Sequence, residues 1–164
     1  MNRKEQFPFA QELLHAVEKG DIVTVQKLIA SGCDVNIRDK GGSTPLMRAS
    51  FHGYPDLAAI LIRLGADINL HDKIGKTALH YAAQEKREQI VRILIEAGAD
   101  VNSQDIHGNS PLGDAVFYAR DSGAVIRILR KNGADDNLPN KHGVSPLGLA
   151  KSVANYDLLQ YFQD

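Results

Sequence analysis

The sequence repeats itself about every 33 residues, and that period constrains the fold more than any other feature. Gly32-Cys33-Asp34-Val35-Asn36 returns as Gly65-Ala66-Asp67-Ile68-Asn69, Gly98-Ala99-Asp100-Val101-Asn102 and Gly133-Ala134-Asp135-Asp136-Asn137, at intervals of 33, 33 and 35 residues. A second motif keeps the same beat: Thr44-Pro45-Leu46, Thr77-Ala78-Leu79-His80, Ser110-Pro111-Leu112 and Ser145-Pro146-Leu147. Two independent motifs in phase mark a repeat array.

Each motif has a physical reason. Thr44, Thr77, Ser110 and Ser145 stand where a hydroxyl can accept from the free N–H groups of a helix start. Pro45, Pro111 and Pro146 follow at the first helical position, where a missing N–H costs nothing. Leu46, Ala49, Leu79, Ala82 and Ala83 make the apolar stripe of a first helix. The second helix, Leu57 to Ile62 in one copy and Ile90 to Ile95 in the next, is apolar on more than one face, as suits a helix between two neighbours. Gly65, Gly98 and Gly133 end it. Asp39, Asp72 and Asp105, close to Gly42, Gly75 and Gly108, open a loop expected to fold as a β-turn or short hairpin tip.

With its Thr-Pro-Leu-His start and Gly-Ala-Asp-Val-Asn finish, the pattern resembles the ankyrin repeat over nearly the whole chain. The resemblance implies an all-α solenoid of helix–turn–helix units in a single domain, residues 1–164, with β-turn or hairpin loop tips. The register gives five units: an N-terminal cap at about 6–38, inner units at 39–71, 72–104 and 105–139, and a C-terminal cap at 140–164 that stops inside its second helix. The fourth copy is two residues longer than the third, around Phe117–Gly123, and carries Gly113-Asp114 where the third has His80-Tyr81. The third copy places the charged run Glu85-Lys86-Arg87-Glu88 at the turn between its helices, expected to be solvated.

The chain has no HExxH, no phosphate loop with GK[ST] and no GxSxG, so no catalytic residues, no cofactor and no enzyme activity are expected. His80 is read as a structural hydrogen-bonding group, and Cys33 as a small filler in place of the alanines of the other copies. His71, His107 and His142 lie on successive tips, too far apart to share one metal ion, so no metal site is expected. The asparagines at 36, 69, 102 and 137 are expected to bond the backbone of their loops.

A net charge of −1 in 164 residues argues against a nucleic-acid binder. A single cysteine, an N-terminus without an apolar stretch and no run of ~18 apolar residues lead to the expectation of a cytoplasmic protein without a membrane span. The resemblance implies a protein–protein interaction module, a scaffold or adaptor, that is a monomer when free. A second reading is an inhibitor, an immunity protein or antitoxin that blocks a toxin or enzyme. The resemblance places the partner on the loop tips and the concave groove. The tip positions include Lys40, His71, Lys73, Ile74, Lys76, Ile106, His107, Lys141 and His142. The ends of the first helices add Phe51, His52, Phe117 and Tyr118. Large apolar residues at such places are typical interface anchors. Seven of the 20 acidic residues are set by the repeat, leaving thirteen to balance 19 basic ones. With Lys40, Lys73, Lys76 and Lys141 pointing from the tips, the partner is expected to carry an acidic patch.

Overall fold

The computed structural model describes residues 3–119, 123–152 and 157–163. The first unit contributes α1 (Arg3–Glu18) and α2 (Ile22–Ala30). Three helix pairs follow: α3 (Pro45–His52) with α4 (Pro55–Arg63), α5 (Ala78–Gln84) with α6 (Glu88–Glu96), and α7 (Pro111–Phe117) with α8 (Ala124–Lys131). Then come α9 (Pro146–Ser152) and a 3₁₀ turn, Leu158–Tyr161. Among the described residues there is no strand, so the architecture is all-α, and the tips are turns rather than paired strands. Each first helix packs on the next first helix, from α1 through α9, and α4, α6 and α8 pack likewise in a second row.

The helix starts follow the expected chemistry. The hydroxyls of Thr44, Thr77 and Ser110 accept from the backbone N–H three residues on, and Ser145 does so from Gly148. Leu46, Ala49, Leu79, Ala82, Leu112 and Ala115 are buried between neighbouring first helices, and Leu57, Leu61, Ile90, Val91 and Leu94 fill the second row. At the third unit's inter-helix turn, Lys86 takes a left-handed φ of 56° where the second unit has Gly53. Arg87 does not simply extend into solvent. It is half-buried and donates to the Phe51 carbonyl of the preceding unit at 3.4 Å. In the last unit the expected second helix is a single 3₁₀ turn over the described residues, and Tyr156 lies outside them.

Three of the four repeat asparagines, Asn36, Asn69 and Asn102, join successive units. Asn36 Oδ1 accepts from the Asp67 N–H at 2.8 Å and its Nδ2 donates to the Gly65 carbonyl at 3.4 Å. Asn69 makes the same two bonds to Asp100 and Gly98, and Asn102 makes them to Asp135 and Gly133. Their side chains therefore tie each unit to the next, and the bonds within each loop are made instead by Asp34, Asp67 and Asp100, whose carboxylates accept the asparagine N–H groups. The tips are joined as well: Lys73 N–H donates to Gly41, Ile106 to Ile74 and Lys141 to His107, at 2.9–3.0 Å. Successive turns are thus fixed in register, and the side chains on them form continuous rows.

Candidate functional site

Two rows of side chains run across the tips. Lys40, Lys73, Ile106 and Lys141 occupy one position of each turn, and Ile74, His107 and His142 the next position. All seven are exposed, Ile74 at 45% and Ile106 at 46%. Only the second row lines a cleft of about 490 Å³ between the third, fourth and fifth units. Its walls are apolar: Ile74, Phe117, Tyr118, Val144, Pro146 and Leu149. Asn109, Ser110, Gly113, Asp114 and Lys76 also line it and supply its polar atoms. Phe117 is 65% exposed and meets Tyr118 edge to face at 5.0 Å. Of the expected site residues, the cleft collects Ile74, Lys76, His107, Phe117, Tyr118 and His142.

The others lie apart from it. Phe51 packs edge-on against His52 at 5.4 Å and against Tyr81 at 6.1 Å, and His52 stacks on Tyr54 at 5.9 Å. This is a second aromatic patch, at the ends of α3 and α5. His71 is exposed, but its Nε2 lies 3.0 Å from Ser103 Oγ in the next unit, so part of its hydrogen bonding is internal. Lys40, Lys73 and Lys141 do not line the cleft.

Lys76 does not point from its tip. Only 9% of it is exposed. Its flexible stem folds inward, and Nζ meets Asp114 Oδ2 at 3.0 Å and Gln84 Oε1 at 2.7 Å, beside the Tyr81 ring. The reason is electrostatic. Burial pushes the Asp114 carboxyl above its ordinary pKa, and the Lys76 ammonium opposes that rise. An acid in this place needs a cation, and the tip of the preceding unit supplies one. The expected row of four free lysines is therefore a row of three. Removing the ammonium alone should be costly, because it leaves Asp114 buried without its counter-charge. Lys76→Met is expected to lose about 2 kcal/mol at neutral pH. The loss should shrink on acidification as Asp114 takes up a proton, and Lys76→Met with Asp114→Leu should recover most of it. Urea unfolding of the three proteins across pH checks all three statements.

Other groups on this face are also paired. Arg48 bonds Asp39 at 2.7 Å and pairs with Glu18 of the first unit. Tyr81 Oη donates to Asp72, and burial, reinforced by that bond, raises its pKa. His80 is fully buried: its Nδ1 accepts from the Thr77 N–H at 3.1 Å, so Nε2 carries the proton and donates to the Asn109 carbonyl at 3.0 Å. Burial depresses its pKa to about 4. It is neutral and structural. Cys33 is half-buried against the core, and burial raises its thiol pKa, which makes it a weak nucleophile. Among the described residues, no three His, Cys, Asp or Glu side chains converge on a point where a metal ion could sit.

The sequence points to the cleft only indirectly. Gly113-Asp114 stands out as a departure, but the wall residues Val144 and Leu149 belong to the next unit, and their meeting with Phe117 depends on how the units stack. The extra length of the fourth copy falls between α7 and α8, and Arg120 to Ser122 lie outside the described residues.

A family model for ankyrin repeats, in three copies, matches residues 13–105. The chain is similar to an ankyrin repeat protein of Rickettsia felis, 40% identical over 60 residues, 37% of this chain and 95% of the other. A second protein so named from Rickettsia felis is 44% identical over 50 residues, 30% of this chain and 76% of its own length. Human protein phosphatase 1 regulatory subunit 27 is 46% identical over 56 residues, 34% of this chain and 36% of that protein.

Proposed function

Because the chain belongs to the ankyrin repeat family, we propose that it holds a partner protein across its tips and first helices, with the cleft between the third and fifth units as the centre of contact. Ankyrin repeats are protein–protein interaction modules. One observation carries the choice of site: Ile74, Phe117, Tyr118 and Val144 are exposed apolar side chains gathered around one concavity. Scattered exposed apolar residues need no explanation, whereas a cluster rimming a cleft has the anatomy of a binding hot spot. The contact is proposed to need no cofactor, and the chain to be a monomer when free. No catalytic role is proposed, since the named relatives are two repeat proteins and a regulatory subunit. Among the described residues no helix is long and apolar enough to cross a membrane.

Charge adds direction. Lys40, Lys73 and Lys141 form an exposed basic row beside the cleft, which favours a partner with an acidic patch next to an apolar anchor. A second reading makes the partner an enzyme or toxin that this chain inhibits. The similarity to a phosphatase regulatory subunit over 56 residues favours that version, in which the cleft grips the enzyme and the rest of the face covers it.

Affinity capture with the intact chain tests the proposal. Phe117→Ala with Tyr118→Ala should weaken the captured partner by more than 10-fold, chiefly by faster dissociation. Lys73→Glu with Lys141→Glu should slow association and remove its salt dependence. A partner held equally well by all three proteins would rule out this face. Loss of a captured enzyme's activity on binding would select the inhibitory version.

A further inference from the structure

Met47, His80, Gly113 and Gly148 occupy the same position in successive units. Met47 and His80 are enclosed between their own unit and the next, 1% and 0% exposed. The His80 ring spans that junction from the Thr77 N–H to the Asn109 carbonyl, with 3.1 Å at one end and 3.0 Å at the other. In the following unit the corresponding backbone groups belong to Ser110 and Val144, and Gly113 puts nothing between them.

Thr44 N–H donates to Met47 Sδ and Thr77 N–H donates to His80 Nδ1. Ser110 is 3% exposed, and its N–H makes no hydrogen bond to the described residues. The Asn109 carbonyl accepts from both Asp105 N–H and His80 Nε2, whereas among the described residues the Val144 carbonyl accepts only from the Asn140 N–H. Among the described residues, a Cβ at Gly113 would have only Ser110 Oγ within 4 Å, at 3.7 Å. That open space is part of the cleft, and apolar side chains wall it. Gly148 leaves no such enclosure, because no further unit follows it among the described residues.

We infer that the cleft at Gly113 receives an imidazole ring, the side chain of a histidine on the partner protein, seated between Ser110 and Val144 as His80 is seated between Thr77 and Asn109. The shape and polarity both select it. A neutral imidazole presents an acceptor nitrogen and a donor N–H on opposite sides of a thin ring. A thioether such as Met47 could satisfy only the Ser110 N–H, and a phenyl ring neither group. The mouth formed by Ile74, Phe117, Tyr118 and Val144 would cover the ring and pack the residues flanking it. The source of the ring rests on the proposed protein-binding role, but the ring site itself does not.

The probe is therefore 4-methylimidazole, a histidine side chain cut at Cβ, added to the full chain at about pH 8, where most of it is neutral. Amide NMR should show saturable shifts at Ser110, Gly113 and Val144 with a dissociation constant of about a millimolar, a reasonable strength for so few atoms. The five-membered ring 2-methylthiophene, which lacks the donor N–H, should bind at least 10-fold more weakly. Gly113→His should carry its own ring into the place and lose probe binding. Gly113→Ala, whose Cβ projects into the space the ring would fill, should weaken binding severalfold while keeping the fold. Absence of saturable shifts, equal binding of the two probes, or unchanged binding in Gly113→Ala would each overturn the assignment. Because the probe needs no partner, failed capture with the probe still bound would overturn the protein-binding reading alone. A captured partner with no probe binding would overturn the ring site alone.

Discussion

Lowering the pH from 7 to 4 should cost this protein about 3 kcal/mol of stability through His80 alone, and His80→Met should abolish that loss. The folded ring titrates near 4 and the unfolded one near 6.5, so between those values the unfolded chain binds the extra proton. Stability is then complete above the unfolded value and is lost as pH falls toward the folded one. The cause is burial first of all: a protonated ring would sit unsolvated, with Lys76 adding repulsion. Its Nδ1 would also have to give up the Thr77 N–H. Methionine is the informative replacement because Met47 already holds this place in the second unit and accepts the Thr44 N–H. At neutral pH, His80→Met should be weaker than the parent by about 1 kcal/mol, having lost the bond to Asn109. At pH 4 the order should reverse. Asp114 titrates with the opposite sign, since its raised pKa makes stability rise on acidification, but it is common to both proteins and drops out of the difference. Denaturant unfolding at several pH values decides it, and parallel curves for the two proteins would refute a depressed His80.

Gly75→Ala is expected to be the most damaging change at the tips, at about 3 kcal/mol. Two costs combine. Gly75 has φ +77°, a left-handed conformation that alanine adopts at a cost of about 1 kcal/mol. Its Cβ would also fall 2.7 Å from Ile106 N and 3.0 Å from the Asp105 backbone in the next tip. Those atoms cannot move aside freely, because Ile106 N–H is bonded to the Ile74 carbonyl. Gly143→Ala is the control. That residue has φ +76° but nothing within 4 Å of its Cβ, so only the conformational cost applies. The difference between the two melting shifts isolates the tip-to-tip contact, and equal shifts would mean that the tips can part without penalty.

The scaffold was legible because its determinants recur. Caps such as Thr44 and Ser110, helix-ending glycines and the buried Leu-and-Ala stripes each act within one unit, so four copies of the sequence expose them. The lateral contacts were not. Lys76 reads as a tip lysine like Lys73, and what draws it inward is Asp114 in the next unit, at a position filled by Arg48, Tyr81 and Leu149 elsewhere. Nothing in the period itself fixes that pairing. The cleft is hidden in the sequence for a related reason. Gly113 is visible as a departure, but its effect is the space it fails to fill between two units, which only the stacked arrangement reveals. Phe117, Tyr118 and Ile74 stood out from the sequence as unnecessary to the scaffold, while their convergence on one hollow did not.

The asparagine joints have a consequence for how such a chain can change. Each joint is made from the same side chain and the same two backbone groups, whatever the neighbouring units carry on their surface. A unit can then be copied, deleted or exchanged with its couplings intact, much as identical fittings let unlike sections of pipe be joined. Variation can accumulate at Gly113, Phe117 or the tip rows without being vetoed by the joints. The array's length and its recognition surface are, to that extent, separately inheritable.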